Sequence, residues 1–195
     1  MGKKCYRFFA GLLGTQARWL NKMADKGFRL VRTEKLLYEF EPCQPGQYRY
    51  CVEFVGHKSR ADADQYACFL GDCGYRVFFK NINLNWNVGK VEVRPWAEKG
   101  GRLASNATTY NRELLIVEKE NDGKPFDLHT TYEDKVRYYK DARRPALFLF
   151  VVMAPMAVLM RSWAAGIFAV LSLVMLVWYQ VALARLNKEA RDQEW

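Results

Sequence analysis

The sequence predicts an α+β protein: a ferredoxin-like antiparallel plait with an internal αββ duplication and extra strand, followed by a C-terminal two-helix transmembrane hairpin. Three observations predict it. A helix-glycine-aromatic-strand pattern occurs twice, 47 residues apart. Short segments of alternating apolar and polar residues surround each copy, as half-buried strands require. Finally, residues 145–184 form a 40-residue apolar run interrupted by Arg161-Ser162.

The elements follow in order. Residues 3–14 open with Lys3-Lys4 and a seven-residue apolar run, FFAGLLG, which imitates a signal peptide. The run is short, Arg7 precedes it, and Thr15-Gln16-Ala17 makes a poor cleavage site, so a mature strand is expected over residues 5–9. In the first copy Trp19, Leu20 and Met23 stand at helical spacing, with Thr15 as the expected N-cap. In the second, Tyr66, Phe69 and Leu70 do the same, with Ser59 as N-cap. Gly27 and Gly74 then close the helices, because the residue after a last turn often takes a left-handed conformation. Phe28 and Tyr75 follow as apolar plugs. Residues 28–40 read as strand with a polar centre at 32–35, residues 42–46 as a turn, and residues 48–55 as a strand completing the first copy. Residues 75–80 and 88–94 take those parts in the second. With the N-terminal strand this gives β-α-β-β-α-β-β, the two helices sharing one sheet face. Residues 97–111 read as a loop, 112–120 as a strong strand and 121–125 as a turn.

Thr131 and Asp134 resemble a capping box opening a basic juxtamembrane helix over 131–144, which is expected to break near Pro145. One continuous helix over 145–184 would be about 60 Å long, about twice the hydrocarbon thickness of a bilayer. Two spans, 145–160 and 163–184, joined by a tight turn, account for the run. A helical hairpin buried in a soluble bundle would carry a polar stripe, whereas here Ser172 and Gln180 stand alone. Lys140, Arg143 and Arg144 precede the first span, and Arg185, Lys188 and Arg191 follow the second. The positive-inside rule then places both termini, and the tail 185–195, in the cytoplasm. Trp163 and Trp178-Tyr179 fit an aromatic belt. Residues 1–130 form the expected cytoplasmic domain, large enough to fold around its own core.

The chain carries a net charge of +9. Residues 145–195 hold four basic and three acidic side chains, which leaves +8 on residues 1–144. Such a domain is attracted to the anionic leaflet surface of the lipid bilayer. Nucleic acid is a further reading of the charge. Lys26-Gly27-Phe28 imitates the start of an RNA-recognition signature, but it closes a helix, and a cap with a core aromatic is the simpler account. Lys90, Arg94, Trp96 and Arg102 form a basic-aromatic group that either stacks a base or packs a tryptophan under the sheet with cations at its rim. Together with Lys140, Arg143 and Arg144 they are the candidate partner or membrane surface. The five cysteines lack a C-x-x-C pair, and His57 and His129 have no motif partners, so free thiols are expected rather than a metal or disulfide framework. No P-loop, H-E-x-x-H or G-x-S-x-G is present, and the expectation is a non-enzymatic protein without cofactor.

Trp19-Leu20-Asn21-Lys22-Met23-Ala24, continued by Lys26-Gly27-Phe28 and Leu30-Val31, resembles the hallmark of the bacterial family called domain of unknown function 2812. Residues 38–54 resemble that family's F/Y-x-F-E-x-x-x-P-G-x-Y-x-Y-x-V-x-F segment, with Phe28 in place of the usual tryptophan. The match is specific over about residues 3–80, and many members end in membrane helices. The resemblance implies no established activity and no catalytic residues. Its members are often encoded beside PadR-like transcription regulators, which implies a membrane-bound partner or sensor for such a regulator. The expectation is therefore a membrane-anchored, protein-binding regulatory or sensor module. An accessory subunit of a membrane transporter complex, contacting partners through its hairpin, is the alternative; a membrane-tethered nucleic-acid-binding module is the third.

Overall fold

A computed structural model of the chain describes residues 2–83, 86–88, 91–93, 103–104, 111–124, 126, 128, 132–161 and 163–193. The chain divides into two compact units, Met1–Thr130 and Thr131–Trp195.

The first unit begins with β1 (Lys3–Tyr6), α1 (Leu13–Asp25), β2 (Phe28–Thr33) and β3 (Leu37–Pro42). β3 lies between β1 and β2 and runs antiparallel to both. β1 and β2 are therefore parallel, with α1 as the crossover of a split β-α-β unit. α1 buries Leu13, Gln16, Leu20, Met23 and Ala24, one face at helical spacing. The ring of Trp19 stands edge-on to Tyr38 at 5.0 Å and Phe40 at 5.6 Å. The N-terminal strand occupies Lys3–Tyr6 instead of residues 5–9, and Phe9 packs on Trp19 at 5.4 Å. Thr15 does not cap α1 either. Leu12 holds that position without a side-chain bond, and the Thr15 hydroxyl accepts from Arg18 inside the helix.

The chain then repeats the path. β4 (Tyr48–Phe54), α2 (Arg60–Asp72) and β5 (Arg76–Lys80) are followed by three short strands, β6 (Trp86–Val88), β7 (Val91–Val93) and β8 (Leu103–Ala104), paired in that order. β9 (Leu114–Glu120) returns to lie between β4 and β5, antiparallel to both. The order β4-β9-β5 matches β1-β3-β2, so the duplicated unit is β-α-β-β, with β6 to β8 inserted before its last strand. Ser59 caps α2, its hydroxyl accepting from the Asp62 amide at 3.1 Å.

Two strand assignments differ from the alternation pattern. Residues 48–55 do not complete the first copy but start the second. The turn after β3 docks on the end of α1 and leads the chain out of the first sheet: the Cys43 amide donates to the Gly27 carbonyl and the Gly46 amide to the Ala24 carbonyl, both at 2.9 Å. The last strand of the second copy is β9, not residues 88–94. Its Leu-Leu-Ile-Val run suits a strand buried on both faces. Leu115 and Val117 join Val55, Ala63 and Leu70 in the core under α2, while Leu114, Ile116 and Glu118 alternate to the opposite face. The helices thus serve two sheets, not one shared face.

The second unit is α3 (Tyr132–Leu159) and α4 (Trp163–Gln193), packed together. α3 runs through Pro145 and Pro155 without a break. The basic segment and the first apolar segment are therefore one helix. Proline removes a single ladder bond at each site, which apolar helices tolerate when neighbouring groups re-satisfy the backbone. The expected Thr131 cap lies outside the described residues. Tyr139, Ala142 and Ala146 are buried on α3, and Ala165, Ala169, Ser172, Tyr179 and Leu183 on α4, spacings of three, four and seven that form a packed seam. Arg161 turns the chain between the helices at φ 48°. Tyr179 is buried in this seam, 6.4 Å from the Tyr139 ring, rather than in an interfacial belt; Trp163 and Trp178 are exposed.

Candidate functional site

Gly27 and Gly74 each leave their helix in the left-handed region, at φ +79° and +85°. Phe28 is half-buried beneath the Lys3 ammonium, 4.9 Å from its ring centre. Tyr75 packs on the core under α2 and meets the Phe126 ring at 5.6 Å. These four residues are helix-to-strand joints. Of the candidate surface, Lys140 is exposed, Arg143 donates to the Gln180 Oε1 at 2.8 Å, and Arg144 pairs with Asp141 at 2.6 Å. Lys90, Arg94, Trp96 and Arg102 lie outside the described residues.

The densest buried chemistry joins the two halves of the first unit, and no short motif announces it. Arg29 of β2 donates from Nε and Nη2 to one oxygen of Glu118, at 2.9 and 2.8 Å. The other Glu118 oxygen accepts from the Tyr50 hydroxyl at 2.7 Å, and that hydroxyl accepts from the Leu30 amide at 2.8 Å. The Arg29 guanidinium also lies over the Tyr48 ring at 4.2 Å. Glu118 is 2% exposed, so its charge is held by hydrogen bonds rather than water. The bond to Glu118 raises the Arg29 pKa, and burial raises that of Tyr50. Arg29 and Glu118 are 89 residues apart in the chain, beyond the reach of any local motif.

A second joint forms around Lys80 at the end of β5. Its ammonium donates to the carbonyls of Glu34 and Lys35 and faces the Tyr38 ring at 4.9 Å. Burial pushes its pKa down to about 8. Nearby, the fully buried Glu113 accepts from the Ile82 amide at 3.1 Å and the Asn111 amide at 2.6 Å. One carboxylate therefore holds both ends of the inserted segment. Both Glu118 oxygens and both Glu113 oxygens are engaged by donors of the chain itself, and the Lys80 amine by its carbonyls. These groups set register and join sheets. Among the described residues, no cluster of three or more His, Cys, Asp or Glu side chains is placed to hold a metal ion.

The family described as "Protein of unknown function (DUF2812)" matches residues 13–151. The chain belongs to the DUF2812 family. No curated protein and no solved structure matches it. Within the DUF2812 span lie α1, both joints and the first 20 residues of α3; the α4 helix lies beyond it. Within the matched span Trp19 packs on Tyr38 and Phe40, Leu20, Met23 and Ala24 are buried on α1, and Gly46 lies in the turn bonded to the end of α1.

Proposed function

We propose that this DUF2812 protein is a membrane-anchored cytoplasmic domain that acts as a protein-binding regulatory or sensor module, with a PadR-like transcription regulator as the candidate partner. The observation that carries the membrane reading is the surface of the second unit. Tyr138–Leu159 and Trp163–Lys188 are long and apolar enough to cross a bilayer, and only 11% and 22% of their most apolar windows is buried. A core helix of a soluble protein buries most of that surface. Here Phe148, Val158, Trp163, Ile167, Phe168 and Val170 stay exposed, as lipid-facing positions do. Lys140, Arg144, Arg185 and Lys188 are exposed on the parts of α3 and α4 away from the turn, which supports a cytoplasmic placement of both termini. The split β-α-β path of each half supports a duplicated, ferredoxin-like reading of the domain.

Two measurements test this. The full chain should stay in the membrane pellet after an alkaline wash, and Ile167→Arg with Val170→Arg should release it. A reporter beside Arg161 should read outside while reporters at the termini read inside. Recovery of the wild-type chain in the soluble fraction would refute the anchor. For the partner, cross-linking in cells should capture a PadR-like regulator through residues 1–130. Capture that depends on the hairpin, with a transporter recovered, would favour the accessory-subunit reading.

A further inference from the structure

Sheets β1-β3-β2 and β4-β9-β5 of the first unit have four outer edges, and three of them receive hydrogen bonds from side chains. On β4, Asn21 exchanges two hydrogen bonds with the backbone of Tyr50, at 3.0 and 2.8 Å, as a neighbouring strand would. On β2, the Leu30 amide donates to the Tyr50 hydroxyl and its carbonyl accepts from Arg76. On β5, the Phe79 carbonyl accepts from Thr33 at 3.2 Å. β1 differs: among the described residues nothing bonds its outer edge. Lys3, Cys5 and Arg7 alternate as the residues bonded to β3, as the register and the Arg7 amide to Leu36 carbonyl bond at 2.9 Å fix. The amides of Lys4 and Tyr6 therefore point outward. Their side chains lie on the face away from α1, where Tyr6 is 73% exposed, and Phe8, continuing the alternation, is 57% exposed.

An open edge with exposed aromatics is a template for another strand. We propose that the occupant is a second copy of this chain, the two β1 edges pairing antiparallel about a two-fold axis between their Tyr6 residues. The sequence selects this register. Along this edge the even positions offer the outward backbone groups, so an antiparallel self-pairing must match even positions with even positions. Centring on Lys4 sets lysine against lysine, centring on Cys5 sets Lys3 against Arg7, and centring on Arg7 sets arginine against arginine. Like charges directly opposite destabilise a sheet. Centring on Tyr6 sets Lys4 against Phe8 of the second copy, Cys5 against Arg7, and tyrosine against tyrosine. No like charges meet, each Lys4 gains an aromatic partner, and the exposed Tyr6 and Phe8 are covered. The interface is isologous, with each copy offering the same strand.

The test uses the full chain in detergent, with the exposed Cys68 and Cys73 replaced by serine. Tyr6→Cys should form a disulfide dimer under mild oxidation at least about tenfold faster than Lys4→Cys or Phe8→Cys alone, because facing Cα atoms about 5.5 Å apart suit a disulfide. The Lys4→Cys, Phe8→Cys double variant should recover it. Tyr6→Pro removes an outward N–H and leaves the ladder to β3 intact, so it should convert the dimer to monomer in light scattering. Equal cross-linking at all three positions, a dimer that survives Tyr6→Pro, or Tyr6→Cys trapping a different protein would each overturn the proposal. If Tyr6→Pro misfolds, the cysteine pattern still decides.

Discussion

Gly27 ends α1 at φ +79°, and a Cβ there would stand 2.9 Å from the Cys43 carbonyl; Gly74 ends α2 at φ +85° with open space around it. That contrast runs through the two β-α-β-β halves. In the first, the turn after β3 is bonded onto the end of α1, so Gly27 serves both a left-handed backbone and a close approach. In the second, nothing among the described residues comes within 4 Å of a Cβ at Gly74, which answers to the backbone alone. The caps at the other ends reverse the emphasis. α2 starts on a Ser59 side-chain bond, whereas α1 starts on Leu12 without one. The strand between the outer two differs as well: β9 is buried on both faces, and β3 ends in exposed Glu41 and Pro42. A shared chain path thus sets where the elements go, while neighbours decide which residues carry the stability.

The comparison can be broken hardest at the point where the halves meet. Glu118→Ala leaves Arg29 and Tyr50 without their acceptor and should cost about 3–5 kcal/mol in chemical denaturation of the full chain. A loss under about 1 kcal/mol would show that the Arg29–Glu118–Tyr50 joint does not hold the halves together. Next comes the pair of glycines. Gly27→Ala should cost about 3 kcal/mol and Gly74→Ala about 1 kcal/mol, since the first adds a clash to the strain of a left-handed residue. Equal costs would remove the distinction drawn above. Among the caps, Ser59→Ala should cost about 1 kcal/mol and Thr15→Ala under about 0.5 kcal/mol, read as shifts in denaturation midpoint.

The least conspicuous effect is a slope with pH. The folded pKa of Lys80 is lowered to about 8 from its ordinary 10.5. Between those values the unfolded chain binds more protons than the folded one, so this residue makes stability rise with pH. Below pH 8 its burial penalty is fully present. Lys80→Met should abolish the rise between about pH 8 and 10.5 relative to wild type, and an unchanged slope would argue that the ammonium is better solvated than its position indicates.

Local pattern carried much of this fold. The apolar face of α1, the Ser59 cap and the positions of β4 and β9 all follow from periodicity and capping chemistry within a few residues. Partnership between strands did not, because it rests on contacts far apart in the chain. Tyr48–Phe54 alternates just as a hairpin partner of β3 would, but the turn before it is bonded to the end of α1 and the strand pairs along its length with β9. The Glu118 joint was hidden for the same reason: inside an apolar strand a single glutamate looks solvent-facing until Arg29 and Tyr50 are brought against it. In the second unit, composition disclosed two apolar helices, but proline was a misleading stop signal within α3.

Glu113 has a bearing on how this chain tolerates change. Because one carboxylate grips the amides of Ile82 and Asn111, the thread between them enters and leaves β5 and β9 at a single knot. The cost of closing such a loop grows only by about 0.6 kcal/mol for each doubling of its length. A few residues added between Ile82 and Asn111 should therefore leave β5 and β9 in step, which unchanged hydrogen-exchange protection of the two strands would show.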